Sequence, residues 1–167
     1  MTLRGRVALV TGASRGIGFV IARMLAEQGM HVAMNASSAH IEQAAAQLRQ
    51  QGLSVRPYRA DVSQKQAVQT MVDQVEAELG PLHLLVNNAG LLRTGPTPEL
   101  SEEDWDATFA VDAKGVFLCS QAALQRMTPR RTGRIVNISS IAGQIVRVQQ
   151  IAYCTAKAAV IHFTRCL

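Results

Sequence analysis

Short apolar runs alternate along the chain with longer segments in which apolar residues recur every three or four positions. The runs occupy 6–11, 31–35, 54–58, 82–86 and 134–138, and their β-branched and aliphatic content predicts strands. Helices are predicted at 16–28, 39–51, 64–79 and along a stretch from 102 to about 127, with a last one from 151 to the end. Ser63 and Ser101 stand where N-caps belong, and Gly29, Gly52 and Gly80 stand where helices should stop. The run Leu82-His83-Leu84-Leu85-Val86 is nearly continuous in apolar residues, as suits a strand covered on both faces. Strand and helix alternating five times predict an α/β fold, a doubly wound, Rossmann-like parallel sheet in one domain over 1–167.

The pattern stops at Arg165-Cys166-Leu167, inside an amphipathic helix and without a cap or polar tail. A sheet ending on 134–138 would leave an aliphatic run as an unprotected edge. The expectation is a domain incomplete at its C-terminus, truncated after the fifth strand and following helix.

Composition narrows the class. Apolar residues at 48% against charged ones at 17% indicate a packed core rather than disorder. The net charge of +5 raises nucleic acid as a partner, yet the 17 Lys and Arg are interspersed with acidic residues. Only Arg126, Arg130, Arg131 and Arg134 cluster, at an expected helix end where cations complement the dipole, so no nucleic-acid partner is expected. Cys119, Cys154 and Cys166 lack metal-ligand spacing and are odd in number, which reads as small apolar residues in a reducing compartment, with no metal. No signal peptide and no membrane-length apolar stretch are seen, so a soluble cytoplasmic location is expected.

Two constellations carry chemistry. After the first strand comes Thr11-Gly12-Ala13-Ser14-Arg15-Gly16-Ile17-Gly18, a glycine-rich turn leading into a helix. Such a turn lets backbone amides and the helix N-terminus approach a pyrophosphate. At the end of the second strand an acidic residue would accept from a ribose 2′-hydroxyl and repel a 2′-phosphate. This chain has Asn35-Ala36-Ser37-Ser38 there, and Arg15 adds a cation, so NADP is expected ahead of NAD. The bland alternative is a solvated Arg15 and a Ser37 that caps the next helix. Near the other end, Tyr153 and Lys157 are spaced to share one helix face, with Ser140 thirteen residues before the tyrosine. An ammonium beside a phenol favours the phenolate, and a serine hydroxyl can hold the same carbonyl oxygen.

On these segments the chain resembles the short-chain dehydrogenase/reductases. The likeness rests on 11–18, Asp61-Val62, Asn87-Asn88-Ala89-Gly90, Asn137-Ile138-Ser139-Ser140 and 153–157. It implies hydride transfer between a nicotinamide cofactor and a carbonyl/hydroxyl pair, with Tyr153 as acid/base, Lys157 on the nicotinamide ribose and Ser140 on the substrate oxygen. Gly12, Ser14, Arg15, Gly16, Ile17 and Gly18 would cradle the phosphates, with Asn35 and Ser37 at the ribose. Asp61 and Val62 would meet the adenine, and Asn87, Ala89 and Gly90 would close over the adenosine ribose and steady the central strand. Asp112 stands where the family commonly has an asparagine that helps to hold a water, and its carboxylate is expected to attract Lys157.

The opening segments look most like 3-oxoacyl-acyl-carrier-protein reductases, with dihydrodiol, sugar and polyol dehydrogenases as alternatives. Loops 91–100 and 141–152, with Arg93, Arg147, Gln149 and Gln150, would face a small carbonyl or alcohol substrate. Similar proteins pair two helices across subunits. Val116, Phe117, Leu118, Ala159, Val160, Ile161 and Phe163 would supply that face in a homodimer or homotetramer, unless they only pack on the sheet. A non-catalytic dinucleotide-binding protein and an inactive truncated product are the competing readings.

Overall fold

A computed structural model describes residues 2–167. Five parallel strands form one sheet in the order β3-β2-β1-β4-β5. They are β1 (Val7–Val10), β2 (His31–Ala36), β3 (Val55–Arg59), β4 (Leu82–Asn87) and β5 (Arg134–Asn137). Helices α1 (Gly16–Glu27), α2 (His40–Gln50), α3 (Lys65–Leu79), α4 (Glu102–Phe109), α5 (Gly115–Met127) and α6 (Ile151–Cys166) alternate with them. This is the doubly wound α/β sheet that the alternation of patterns predicts.

Period-two alternation in the central strands builds both faces. Val7 and Leu9 of β1 point into a core shared with Val68, Met71, Val72 and Val75 of α3 and with Leu118, Cys119 and Ala122 of α5. Ala8 and Val10 point the other way, to Ala22 and Ala26 of α1 and to Ile41, Ala45 and Leu48 of α2. Each fully buried leucine on these faces contributes about 2 kcal/mol of transfer free energy. β5 lies at the sheet edge, and its Val136 is exposed, as its place after the fourth strand predicts.

Five local expectations change. Ser101 caps α4, accepting from the Asp104 amide at 3.1 Å, but Ser63 does not cap α3. Its own amide donates to Asp61 Oδ1 at 2.9 Å, so Asp61 makes the turn and Gln64 takes the cap position. The long helix expected to 127 is interrupted by a π-helical turn at Ala110–Lys114. Of the three cysteines only Cys119 is buried, where burial pushes its thiol up to about 12; Cys166 is exposed. The apolar face expected on the last helices is also narrower than the sequence suggests. Val116, Leu118 and Val160 are buried within the chain and Ile161 and Phe163 are half-buried, leaving Phe117 and Ala159 exposed. Arg126 and Arg130 do more than complement a helix end, because they bridge α5 and the loop after it to Asp73 and Glu76 of α3. Among the described residues no helix is long and apolar enough to cross a membrane.

Candidate active site

The strand order reverses beside β1: the chain runs outward through β2 and β3, then returns to β4 on the other side. Diverging loops open a crevice at the C-terminal strand ends there. Thr11, just past β1, laces the crevice shut at its base. Its amide donates to the Val86 carbonyl at 3.0 Å, and its Oγ1 accepts from the amides of Asn88 and Ala89 at 2.9 and 3.0 Å. Asn88 Nδ2 donates in return to the Thr11 and Gly12 carbonyls, at 2.9 and 3.2 Å.

Gly12 follows at φ +65°, in the left-handed region, and a Cβ there would stand 2.8 Å from the Ala89 Cα. A Cβ on Gly18 would collide with Asn88 and with the Gly12 carbonyl, so this glycine lets α1 pack against the turn. Arg15 precedes α1 in extended conformation, and no side chain caps the helix. The first amides of α1 are thus left for an external acceptor, which is the donor set a pyrophosphate needs. The residues present fit a dinucleotide on that ground.

Beyond the turn lies a cleft of about 1140 Å³. Gly12, Ser14, Arg15, Gly16, Ile17, Asn35, Ser37, Asp61, Val62, Ala89 and Gly90 all line it, eleven residues that the sequence nominates. Three of them have other commitments. The Asn35 amide group donates to the Tyr58 and Ala60 carbonyls at 3.1 and 2.9 Å, tying β2 to β3 and leaving its buried Oδ1 without a partner. Asp61 holds the Ser63 amide, and Val62 packs on Gly115. Ser37 caps nothing: α2 begins after Ala39 with no side-chain cap.

Asn87 is not brought to the cleft. Its buried amide donates to Ser120 Oγ at 3.0 Å and Asn137 Oδ1 at 2.8 Å, clamping β4 to α5 and β5. Its neighbour Asn88 lines the cleft instead. Sequence reading missed Asn88 and Thr11 as site residues, although both sit inside the segments that it used. Nothing in a pair of adjacent asparagines says which one faces inward.

None of Ser140, Tyr153, Lys157 and Asp112 lines the cleft, and the last three form a second group beside it. The Lys157 side chain is almost fully buried, with Nζ 3.1 Å from Asp112 Oδ2 and 3.4 Å from the Ile138 carbonyl. Nζ also stands 5.4 Å from the centroid of the Tyr153 ring, one turn earlier on α6. Asp112 is wholly buried; its Oδ1 accepts from the Leu91 amide at 2.6 Å. Asp112 lies in the π-helical turn Ala110–Lys114, between α4 and α5, and is its buried residue. Burial pushes the Asp112 carboxyl above its ordinary range, while Lys157 and the Leu91 amide pull it back.

Gly90 joins the two groups. A Cβ there would stand 3.4 Å from Asp112 Oδ2 and 3.5 Å from Lys157 Nζ, so the ion pair lies directly behind the cleft wall. Ser140 opens the short turn Ile141–Gly143, its Oγ accepting from the Ala142 amide at 3.1 Å. Ser139 Oγ donates to the Lys157 carbonyl at 2.8 Å and ties that turn to α6. The loops 91–100 and 141–152 are joined where the Gly95 amide donates to the Gln149 carbonyl at 2.9 Å.

Comparison with known proteins gives a consistent result. A family model described as short chain dehydrogenase matches residues 6–167. The 2,3-dihydro-2,3-dihydroxybenzoate dehydrogenase of Bacillus subtilis is 39% identical over 99% of this chain and 64% of its own length. A 3-oxoacyl-[acyl-carrier-protein] reductase of Staphylococcus aureus is 39% identical over 95% of the chain and 65% of its own. Among solved structures, a gluconate 5-dehydrogenase from Burkholderia cenocepacia in complex with NADP and tartrate superposes with a TM-score of 0.92 at 35% identity. That match covers 98% of this chain and 66% of the other. The chain thus spans about 64–65% of the length of these curated relatives.

Proposed function

The chain belongs to the short-chain dehydrogenase family, and from that premise we propose that it is an NADP-linked oxidoreductase acting on a carbonyl/hydroxyl pair. The nicotinamide, when bound, supplies or accepts the hydride. The chain's own residues bind the dinucleotide, orient it and move one proton. The first amides of α1 hold the pyrophosphate, and Arg15 with Ser37 takes the 2′-phosphate in a turn free of carboxylates. NAD is the alternative cofactor.

One observation carries the proposal: Lys157 is buried with Nζ 5.4 Å from the centroid of the Tyr153 ring, immediately behind Gly90 of the cleft wall. An ammonium held there stabilises negative charge on the phenol oxygen, so that Tyr153 gives a proton to a carbonyl oxygen or removes one from an alcohol. Ser140 hydrogen-bonds the same substrate oxygen. Asp112 holds the ammonium in place. The same carboxylate favours a second reading, a dinucleotide-binding protein without turnover, because a counter-charge on Lys157 weakens its support of the phenol.

For substrate we favour a 3-oxoacyl group; a dihydrodiol, sugar or polyol is the alternative. Its functional state is proposed to be a homodimer or homotetramer, joined through the outward residues of α5 and α6. Turnover of a 3-oxoacyl ester with NADPH tests the assignment. Tyr153→Phe should lower it by about a hundredfold or more while NADPH binding, followed by fluorescence, is retained. Intact turnover in that variant would overturn the mechanism. NADPH binding by a wild type without turnover on any of these substrate classes selects the second reading.

A further inference from the structure

We infer that Arg59, which stands outside the cleft wall, is a positioning residue that selects for a 2′-phosphate. The inference rests on the dinucleotide reading above. The 2′ position of a bound ribose is read at the end of β2, where Ser37 and Ser38 line the cleft. The helix that follows takes no side-chain cap from either residue and holds only Ser38, whose carbonyl accepts from the Ile41 amide at 3.4 Å. They are held from the side by β3. The Ala60 amide donates to the Ala36 carbonyl at 3.1 Å, and Asn35 Nδ2 donates to the carbonyls on both sides of Arg59. Those bonds end at Ala36. Arg59 Nε reaches one residue further and donates to the Ser37 carbonyl at 3.1 Å.

Among the described residues Ser37 itself is held by one hydrogen bond, from this guanidinium. That guanidinium takes part in no ion pair among the described residues, so its charge is not cancelled by a neighbouring carboxylate. Arg15 lines the same cleft, and the carboxylate that also lines it, Asp61, has Oδ1 engaged by the Ser63 amide. Arg15 in the cleft and Arg59 behind the Ser37 carbonyl, set against one carboxylate, favour a doubly charged phosphate over a hydroxyl. Loss of Arg59 frees the Ser37 turn and removes one of those cations. A 2′-hydroxyl needs neither.

The test is titration of the full 167-residue chain with NADPH and with NADH, followed by nucleotide fluorescence, for wild type, Arg59→Met and Arg59→Lys. Wild type should bind NADPH the more tightly. Arg59→Met should weaken NADPH by about tenfold and leave NADH within about twofold. Arg59→Lys, which keeps a charge and a donor, should recover part of the loss. Arg59 is exposed, so melting temperatures close to wild type are expected and serve as the folding control. An unchanged preference in Arg59→Met, or equal weakening of both nucleotides, overturns the role of Arg59 and leaves the dinucleotide reading intact. A wild type that prefers NADH overturns it as well. A wild type that binds neither sinks both.

Discussion

At the scale of single residues, the Asp112–Lys157 pair decides how the site behaves. Both side chains are buried, so each charge relies on the other, and removing one partner strands its mate in a medium of low dielectric. Asp112→Leu also orphans the Leu91 amide. It should cost about 3–5 kcal/mol in urea denaturation. Asp112→Asn keeps an oxygen for that amide and a dipole facing the ammonium, and should cost less than half as much. Equal losses in the two variants would mean that the missing charge alone sets the cost, and that the acceptor for the Leu91 amide adds nothing. The attraction between these residues is legible in the sequence, because the segments that hold them are recognisable one at a time. Asn35 is not legible in the same way, and of Asn87 only the steadying of the central strand is, through the family resemblance. Each amide is spent on partners remote in the chain, on Tyr58 and Ala60 for one and on Ser120 and Asn137 for the other. No local pattern announces that.

At the scale of elements, periodicity locates all five strands to within a residue or two, because each is bounded by a glycine, a proline or a polar break. It misses the π-helical turn, since one inserted residue in a helix leaves no mark in an apolar pattern already irregular at Ala110–Lys114. It also misses an irregularity between β1 and β4, where Val7 pairs with Leu82 but Ala8 pairs with Leu84. His83 is the skipped residue, and its ring replaces the missing ladder acceptor: the Val7 amide donates to Nδ1 at 3.2 Å. That bond needs a neutral ring. Burial, then Arg6 and Arg130, lower the His83 pKa, with Glu76 and the Pro81 backbone opposing them. A histidine depressed in the folded state binds fewer protons there than in the unfolded chain. Its contribution to stability is present above about pH 6.5 and is lost as pH falls below it. Urea midpoints should therefore drop between pH 7.5 and 5.5 more in wild type than in His83→Asn, whose amide oxygen can accept without titrating. The difference should stay under about 1 kcal/mol because the ring is partly exposed. Parallel pH profiles for the two proteins would remove His83 from the ladder.

At the scale of the whole molecule, the cleft draws its walls from the ends of β1, β2, β3 and β4, and so from both halves of the sheet. A dinucleotide seated there would touch loops that belong to two separate cores, one on each face. Its binding free energy then adds to the stability of the whole sheet, and not only to that of one loop. At about a hundred times its dissociation constant, NADPH should add about 2.7 kcal/mol, a rise of roughly 5–10 °C in melting temperature for a chain of this length. Gly16→Ala separates this effect from general damage. Gly16 lines the cleft at φ +58°, and a Cβ there meets no protein atom within 4 Å, so the methyl group would stand in the opening itself. Backbone strain alone should cost about 1 kcal/mol, a melting temperature lower by a few degrees. The rise with NADPH should nearly vanish, because the methyl group occupies the approach to the first amides of α1. A Gly16→Ala protein that melts a few degrees early yet gains as much from NADPH as wild type would place the nucleotide elsewhere on the molecule.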